Sequence, residues 1–117
     1  MEKKENIIRM WFNMWIDKKD YGIKEIFSEK IEYIESWGPK YYGTGEILEW
    51  FFQWNKLNSC ISWDIKQFFH KDNQTIVEWY FKFSHINGET MDFDGVSLIS
   101  WDREGKIQFL KEFKCDL

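Results

Sequence analysis

The chain has 117 residues, 21% of them aromatic, and a formal net charge of −4. This length fits one domain, residues 1–117, whose core needs no metal or disulfide to fold. The acidic balance disfavours nucleic acid as a main partner, and no apolar run approaches the roughly 18 residues of a membrane span.

The two cysteines, Cys60 and Cys115, match no zinc-ligand spacing, and the histidines His70 and His85 stand apart. We therefore expect free thiols, no metal and no cofactor. The sequence shows no signal-peptide pattern, so the expected location is the cytoplasm.

The first half of the chain predicts three helices and one strand. Apolar residues from Lys4 to Asp17 recur at steps of three and four, which is the period of a helix. "IKEIFSE" predicts a short second helix after a break at Gly22. The alternation of "KIEYIES" then predicts a strand, with Ile31, Tyr33 and Glu35 on one face.

The stretch "WGPKYYGTG" is typical of a loop, because glycine and proline punctuate it. Thr44 is the predicted N-cap of a third helix, "GEILEWFFQWNKLN". The apolar face of that helix comprises Ile47, Leu48, Phe51, Phe52 and Trp54.

The second half predicts four consecutive strands joined by the turns "KDNQ", "ING" and "DREG". "CISWDIKQFFH" alternates, with one face formed by Ile61, Trp63, Ile65 and Gln67. "TIVEWYFKFSH" does the same, with one face formed by Val77, Trp79, Phe81, Phe83 and His85. The strands "TMDFDGVSLISW" and "KIQFLKEFKC" complete the chain.

This order of elements predicts an α+β fold, in which a curved, mostly antiparallel sheet wraps around three helices from the N-terminal half. One sheet face would line a cavity. The other face carries Ile76, Tyr80, Val96 and Leu98 between charges, so we expect a homodimer through it.

The stretches "WFNMWIDKKDYGIKEIF", "YIESW…YYG", "VEWYFKF" and "FDGVSLISWDREGKIQFLKEF" resemble the nuclear transport factor 2-like superfamily, and within it the SnoaL-like domains. The resemblance covers nearly the whole chain. It implies a cone-shaped α+β barrel that often dimerises through its sheet and holds a ligand in the cone. Some members are isomerases, cyclases or dehydratases, and others only bind or assemble.

The ketosteroid isomerase pattern within that superfamily places three roles on this chain. The general-base carboxylate corresponds to Glu35. The two oxyanion-hole donors, a tyrosine and a protonated aspartate in the family, correspond to Trp11 and Ser97. Indole and hydroxyl groups still donate hydrogen bonds, although both are weaker donors than the family's groups.

Each candidate also has a purely structural interpretation. Glu35 is either a base or ligand anchor, or a solvated carboxylate at a strand end. Trp11 is a ligand contact or ordinary core, and Ser97 bonds either a ligand or the backbone. The further ligand-binding candidates are Tyr33, Trp37, Tyr41, Trp54, Trp79, His85 and Gly95.

The predicted function is binding of an apolar or cyclic small molecule in an aromatic-lined cone. If the protein is an enzyme, the resemblance implies cofactor-independent isomerisation, cyclisation or dehydration by a carboxylate base. The alternative is a non-catalytic ligand-binding or dimerisation module of the same fold.

Overall fold

A computed structural model describes residues 2–115. The helices are α1 (Glu2–Asp17), α2 (Ile23–Ile26) and α3 (Gly43–Leu57). The strands are β1 (Phe27–Ile34), β2 (Lys40–Tyr42), β3 (Asn58–Lys71), β4 (Gln74–His85), β5 (Thr90–Trp101) and β6 (Ile107–Lys114).

The six strands form one sheet in the order β2-β1-β6-β5-β4-β3. Every neighbouring pair is antiparallel except β1 with β6, which run parallel. The sheet is curved and does not close, and α1 and α3 pack against β3 and β1. The predicted α+β fold, a mostly antiparallel sheet around three helices, is confirmed, with an open cone in place of a closed barrel.

The apolar stripe of α1 faces the sheet, as the helix period predicts. Its buried residues are Ile8, Trp11, Phe12, Met14 and Trp15. After the helix, the Asp20 carboxylate accepts hydrogen bonds from the backbone N–H groups of Gly22 and Ile23, both at 2.8 Å. These bonds satisfy the first donors of α2 and set the point where the chain turns.

Two predicted boundaries in this region are wrong. The second helix ends at Ile26 and not at Glu29, because the fully buried Phe27 already pairs with Ile107 of β6. The predicted loop "WGPKYYGTG" contains the short strand β2, in which Tyr41 pairs with Tyr33. Pairing with another strand decides both cases, with the distant β6 for Phe27 and with the neighbouring β1 for β2.

The predicted N-cap at Thr44 is also wrong. Helix α3 begins at Gly43, and the Glu46 carboxylate accepts the hydrogen bond of the Tyr42 backbone N–H at 2.8 Å. A carboxylate in the first turn satisfies a free donor and lies favourably at the positive end of the helix dipole.

The predicted face of β3 is broken by β-bulges. Ile61 is 48% exposed, whereas Trp63 is 8% exposed, because the pairing register shifts between Cys60 and Ser62. A bulge places two residues opposite one and reverses the face of the residues beyond it. By contrast, the predicted face of β4 is confirmed, with Val77 and Trp79 buried.

No helix within residues 2–115 has the length and apolar character needed to cross a membrane.

Candidate functional site

The hairpin of β1 and β2 positions Glu35. Its backbone N–H donates to the Pro39 carbonyl at 2.9 Å, and its carbonyl accepts from the Gly38 N–H at 2.9 Å. The side chain is 8% exposed, and the Tyr41 hydroxyl donates to its Oε2 at 2.8 Å. Burial raises the pKa of Glu35, and the hydrogen bond from Tyr41 partly opposes that rise.

A second carboxylate, Glu112 on β6, lies beside Glu35. The Tyr33 hydroxyl donates to its Oε2 at 2.5 Å, and the Ser36 N–H and hydroxyl both donate to its Oε1 at 3.3 Å. Burial raises the pKa of Glu112 to about 7, and the negative charge of Glu35 contributes to that rise. Glu112 can therefore gain or lose a proton near neutral pH.

The sequence reasoning missed Glu112, although a signal was present. Leu110 and Glu112 alternate on β6, and Leu110 is buried, so Glu112 shares the inner face by strand parity. It also lies directly opposite Ser97, a candidate on the neighbouring strand.

The Trp11 indole extends the network behind the two carboxylates. Its Nε1–H donates to the Tyr33 hydroxyl oxygen at 3.2 Å, and Tyr33 in turn donates to Glu112. Burial and the charge of Glu112 raise the pKa of Tyr33 well above its usual value, so the phenol stays protonated as a donor.

Both carboxylates open onto an aromatic cavity between the helices and the concave sheet face. Its lining comprises Trp15, Glu35, Ser36, Trp37, Trp50, Trp54, Trp63, Trp79, Phe81, Phe83, Phe93 and Glu112. The cavity is narrow, with a volume of about 40 Å³.

The rings around the cavity meet at angles from tilted to perpendicular, and Phe81 and Phe83 are tilted at 34°. Trp63 and Trp79 are perpendicular at 89°, and Trp37 meets Phe93 at 81°. Trp37 is 47% exposed and forms part of the mouth, where the Lys114 ammonium lies 4.5 Å from its ring centre. Edge-to-face contacts of this kind stabilise a wall while leaving a slot between the rings.

Of the candidates from the sequence, Glu35, Trp37, Trp54 and Trp79 lie together around the cavity. Tyr33 and Tyr41 reach the site through their hydrogen bonds to the carboxylates.

The remaining candidates lie behind the wall or away from it. Ser97 accepts a hydrogen bond from the Trp79 Nε1–H at 2.9 Å. A Cβ at Gly95 would lie 2.5 Å from the Trp79 ring, so glycine allows that indole to pack against β5. His85 ends β4, where its Nδ1 accepts the backbone N–H of Asn87 at 3.2 Å.

Within residues 2–115, no three histidine, cysteine or acidic side chains cluster closely enough to hold a metal ion. The chemistry available at the site is that of carboxyl, phenol and indole groups in an apolar slot. Such groups can accept, donate and return a proton.

The model of the SnoaL-like domain family matches residues 8–109 of the chain. No curated protein matches the sequence.

Solved structures of the same fold are numerous. A "putative isomerase" from Bacillus subtilis superposes with a TM-score of 0.84 at 17% identity, covering 97% of this chain and 87% of that one. An NTF2-like protein of unknown function from Burkholderia pseudomallei superposes with a TM-score of 0.81 at 10% identity, covering 98% of this chain and 92% of that one. A "putative SnoaL-like polyketide cyclase" from Mesorhizobium loti superposes with a TM-score of 0.74 at 16% identity, covering 93% of this chain and 97% of that one.

At these identities the structural likeness shows the fold alone. The family match spans most of the chain and agrees with the element order and the open cone described above. The chain belongs to the SnoaL-like domain family of the nuclear transport factor 2-like superfamily.

Proposed function

We propose that this protein binds an apolar or cyclic small molecule in its aromatic cavity and catalyses a cofactor-independent proton transfer of the isomerase or cyclase type. The observation that carries the proposal is the pair of carboxylates, Glu35 and Glu112, in the lining of one aromatic cavity. The pKa of each is raised, that of Glu112 to about 7. General acid–base groups work best when their pKa lies near the working pH.

In the proposed reaction Glu35 is the base. Of the two carboxylate oxygens of Glu35, only Oε2 accepts a hydrogen bond from a described residue. Both oxygens of Glu112 accept hydrogen bonds. The Glu35 carboxylate takes a proton from a carbon next to a ligand carbonyl, and the electron pair of the broken C–H bond moves onto the carbonyl oxygen. Where the ligand has a carbon–carbon double bond next to that carbon, the product of this step is a dienolate. The proton then returns to the far carbon of the dienolate and the double bond moves into conjugation with the carbonyl, so no oxidant or cofactor is consumed.

Glu112, Trp11 and Ser97 support this step without touching the ligand's reacting carbon. Trp11 orients Tyr33, which holds Glu112, and Ser97 holds the Trp79 indole in the wall. In the proposal Trp11 and Ser97 are therefore positioning residues, a different role from the donor positions that the family resemblance implies.

The similar structures support the reaction class, since two of them are named "putative isomerase" and "putative SnoaL-like polyketide cyclase". Cys60 and Cys115 are both free thiols, which supports the proposed location in a reducing cytoplasm.

The second candidate is a non-catalytic binding module of the same fold. The narrowness of the cavity favours it, because typical ligand pockets have about 300–1,000 Å³. In this case Glu35 would be an acceptor for Tyr41 and the rings would serve mainly as core.

Exchange of α-hydrogens for deuterium distinguishes the two functions. Small cyclic ketones such as cyclopentanone are incubated with the protein in D₂O, and deuterium uptake is followed by NMR. We expect uptake above the buffer rate, lowered about 100-fold or more by Glu35→Gln, which preserves shape and removes the base. Glu49→Gln, an exposed carboxylate on α3, is the matched control and should retain the rate. Equal rates for Glu35→Gln and the wild type would contradict the catalytic role.

A further inference from the structure

The cavity is too narrow for the ligand that the proposed function assigns to it. Its volume is about 40 Å³, whereas pockets that hold small molecules typically have about 300–1,000 Å³. A ligand can therefore enter only if part of the wall moves. The part that moves most readily is the one held by the fewest and weakest contacts.

One segment of the wall lies outside the helices and strands. Among the described residues that line the cavity, Glu35, Ser36 and Trp37 belong to the loop between β1 and β2, and all the others lie on helices or strands. Trp37 is 47% exposed, whereas the other lining residues are buried or half-buried. Solvent therefore already reaches the wall of the cavity at this loop.

Weak contacts hold the loop over the cavity. The Trp37 ring meets the Phe93 ring edge to face at 5.4 Å, and the Lys114 ammonium lies 4.5 Å from its centre. The Ser36 N–H and hydroxyl both donate to Glu112 Oε1 at 3.3 Å, just beyond the usual length of a hydrogen bond. Because each of these contacts is weak near solvent, thermal motion can break them together.

The two ends of the loop are fixed, but its tip is not packed. The Glu35 N–H donates to the Pro39 carbonyl and the Gly38 N–H to the Glu35 carbonyl, both at 2.9 Å. Gly38 has a φ of 103°, which glycine adopts without strain, and a Cβ there would meet nothing within 4 Å. Trp37 can therefore swing between two fixed points while the pairing of β1 with β2 is kept.

We infer that Trp37 is the gate of the cavity: its indole swings away from Phe93 and Lys114 to admit a ligand and closes again over the bound ligand. The inference rests on the proposed function, because it states how the ligand reaches that same cavity. Closure returns the indole to the mouth, two residues from the base Glu35, so water is excluded while the proton is transferred.

Fluorine NMR of the intact protein detects this motion. Protein whose 8 tryptophans carry a 5-fluoro group gives one signal per indole, and Trp37→Phe identifies the signal of Trp37. We expect this signal to show exchange between two states on the µs–ms timescale of loop gates. Trp101, which is buried and bonded to Thr75, is the internal control and should show none. A Trp37 signal without such exchange overturns the inference.

Removal of the indole should open the cavity. N-phenyl-1-naphthylamine, a neutral dye that fluoresces in apolar surroundings, is mixed with the protein, and its binding is followed by stopped-flow fluorescence. In the wild type we expect the observed rate to level off at high dye concentration, because opening of the gate limits it. Trp37→Ala should abolish this plateau and raise the rate about tenfold or more, since the open fraction no longer limits binding.

Tyr42→Ala is the matched control for this experiment. Tyr42 is an exposed aromatic residue on the same hairpin that does not line the cavity, so this variant should bind the dye at the wild-type rate. Equal rates for Trp37→Ala and the wild type overturn the inference, including the case in which the dye binds only to the outer sheet face. Absence of dye binding to both proteins also overturns it, because loss of the gate must open the cavity.

The outcomes separate this inference from the proposed function. Exchange of the Trp37 signal and faster dye binding to Trp37→Ala, without deuterium uptake by the ketones, would support the gate and contradict catalysis. Deuterium uptake that depends on Glu35, together with equal dye-binding rates for Trp37→Ala and the wild type, would support catalysis and contradict the gate.

Discussion

At the scale of single residues, the site consists of acids held by phenols. Strand parity placed Glu35 on the inner face together with Ile31 and Tyr33, and the structure buries all three. The same parity applied to β6 identifies Glu112, but the surrounding "KEFK" is typical of a solvated strand. Only the contacts with Tyr33 and Ser36, 79 and 76 positions away in the sequence, show that the carboxylate belongs to the site.

The raised pKa of Glu112 predicts how stability depends on pH. A carboxyl group with a pKa of about 7 in the fold, against 4.5 when unperturbed, binds its proton more tightly in the folded state. The stabilisation that this proton binding adds to the folded state is complete below about pH 4.5 and is lost as the pH rises through 7. In Glu112→Gln this loss is absent.

We therefore expect the free energy of unfolding of the wild type, relative to Glu112→Gln, to fall by on the order of 2–3 kcal/mol between about pH 4.5 and 8. Urea unfolding of both proteins across this range measures it. A difference that stays constant would show that Glu112 is solvated, and one that grows with pH would show that the fold lowers its pKa; either result would contradict the prediction.

At the scale of elements, backbone pairing between strands decides which side chains face inwards where the alternation within one strand does not. The bulges of β3 turn Ile61 outwards, although simple alternation groups it with Trp63. On β5 the inner face narrows at Gly95, where the Trp79 ring and the Phe113 carbonyl oxygen approach. Position 95 is therefore a glycine because the packing around it leaves no room for a Cβ.

Two glycine substitutions test this close approach. Alanine at Gly95 would place its Cβ 2.5 Å from the Trp79 ring and 2.6 Å from the Phe113 backbone oxygen. We expect Gly95→Ala to lower the free energy of unfolding by about 1–3 kcal/mol or more through overpacking. Gly45→Ala in α3, where a Cβ meets nothing within 4 Å, should raise it by about 0.5–1 kcal/mol. Thermal unfolding compares the pair, and tolerance of alanine at 95 would contradict the packing described.

At the scale of the whole molecule, the outer sheet face carries an apolar patch, which comprises Phe69, Ile76, Val96, Leu98 and Phe113. Phe69 pairs with Ile76 and Ile76 with Leu98, so their side chains lie on one side of neighbouring strands. Phe69, Ile76 and Phe113 are exposed. Contiguous apolar surface of this kind is typical of an interface. We propose that a second copy of the chain covers it.

Sedimentation measures this proposed dimer. Ile76→Lys and Phe113→Lys place charges within the patch, so each should shift the protein towards monomer by weakening apolar burial between copies. Ile86→Lys, an exposed apolar position in the turn between β4 and β5, is the matched control and should sediment as the wild type does. A wild-type monomer at high concentration would contradict the proposal.

Local patterns in the sequence determined the helices, the long strands, the α+β class and the inner face that carries Glu35. These features depend on periodicity and turn residues, which act over a few neighbouring positions. Tertiary structure alone decided the strand β2, the register of β3, the pairing of Glu112 with Tyr33 and the narrowness of the cavity. Each of these depends on pairing or packing with another segment, either the neighbouring strand or one far along the chain, and those contacts override local preference.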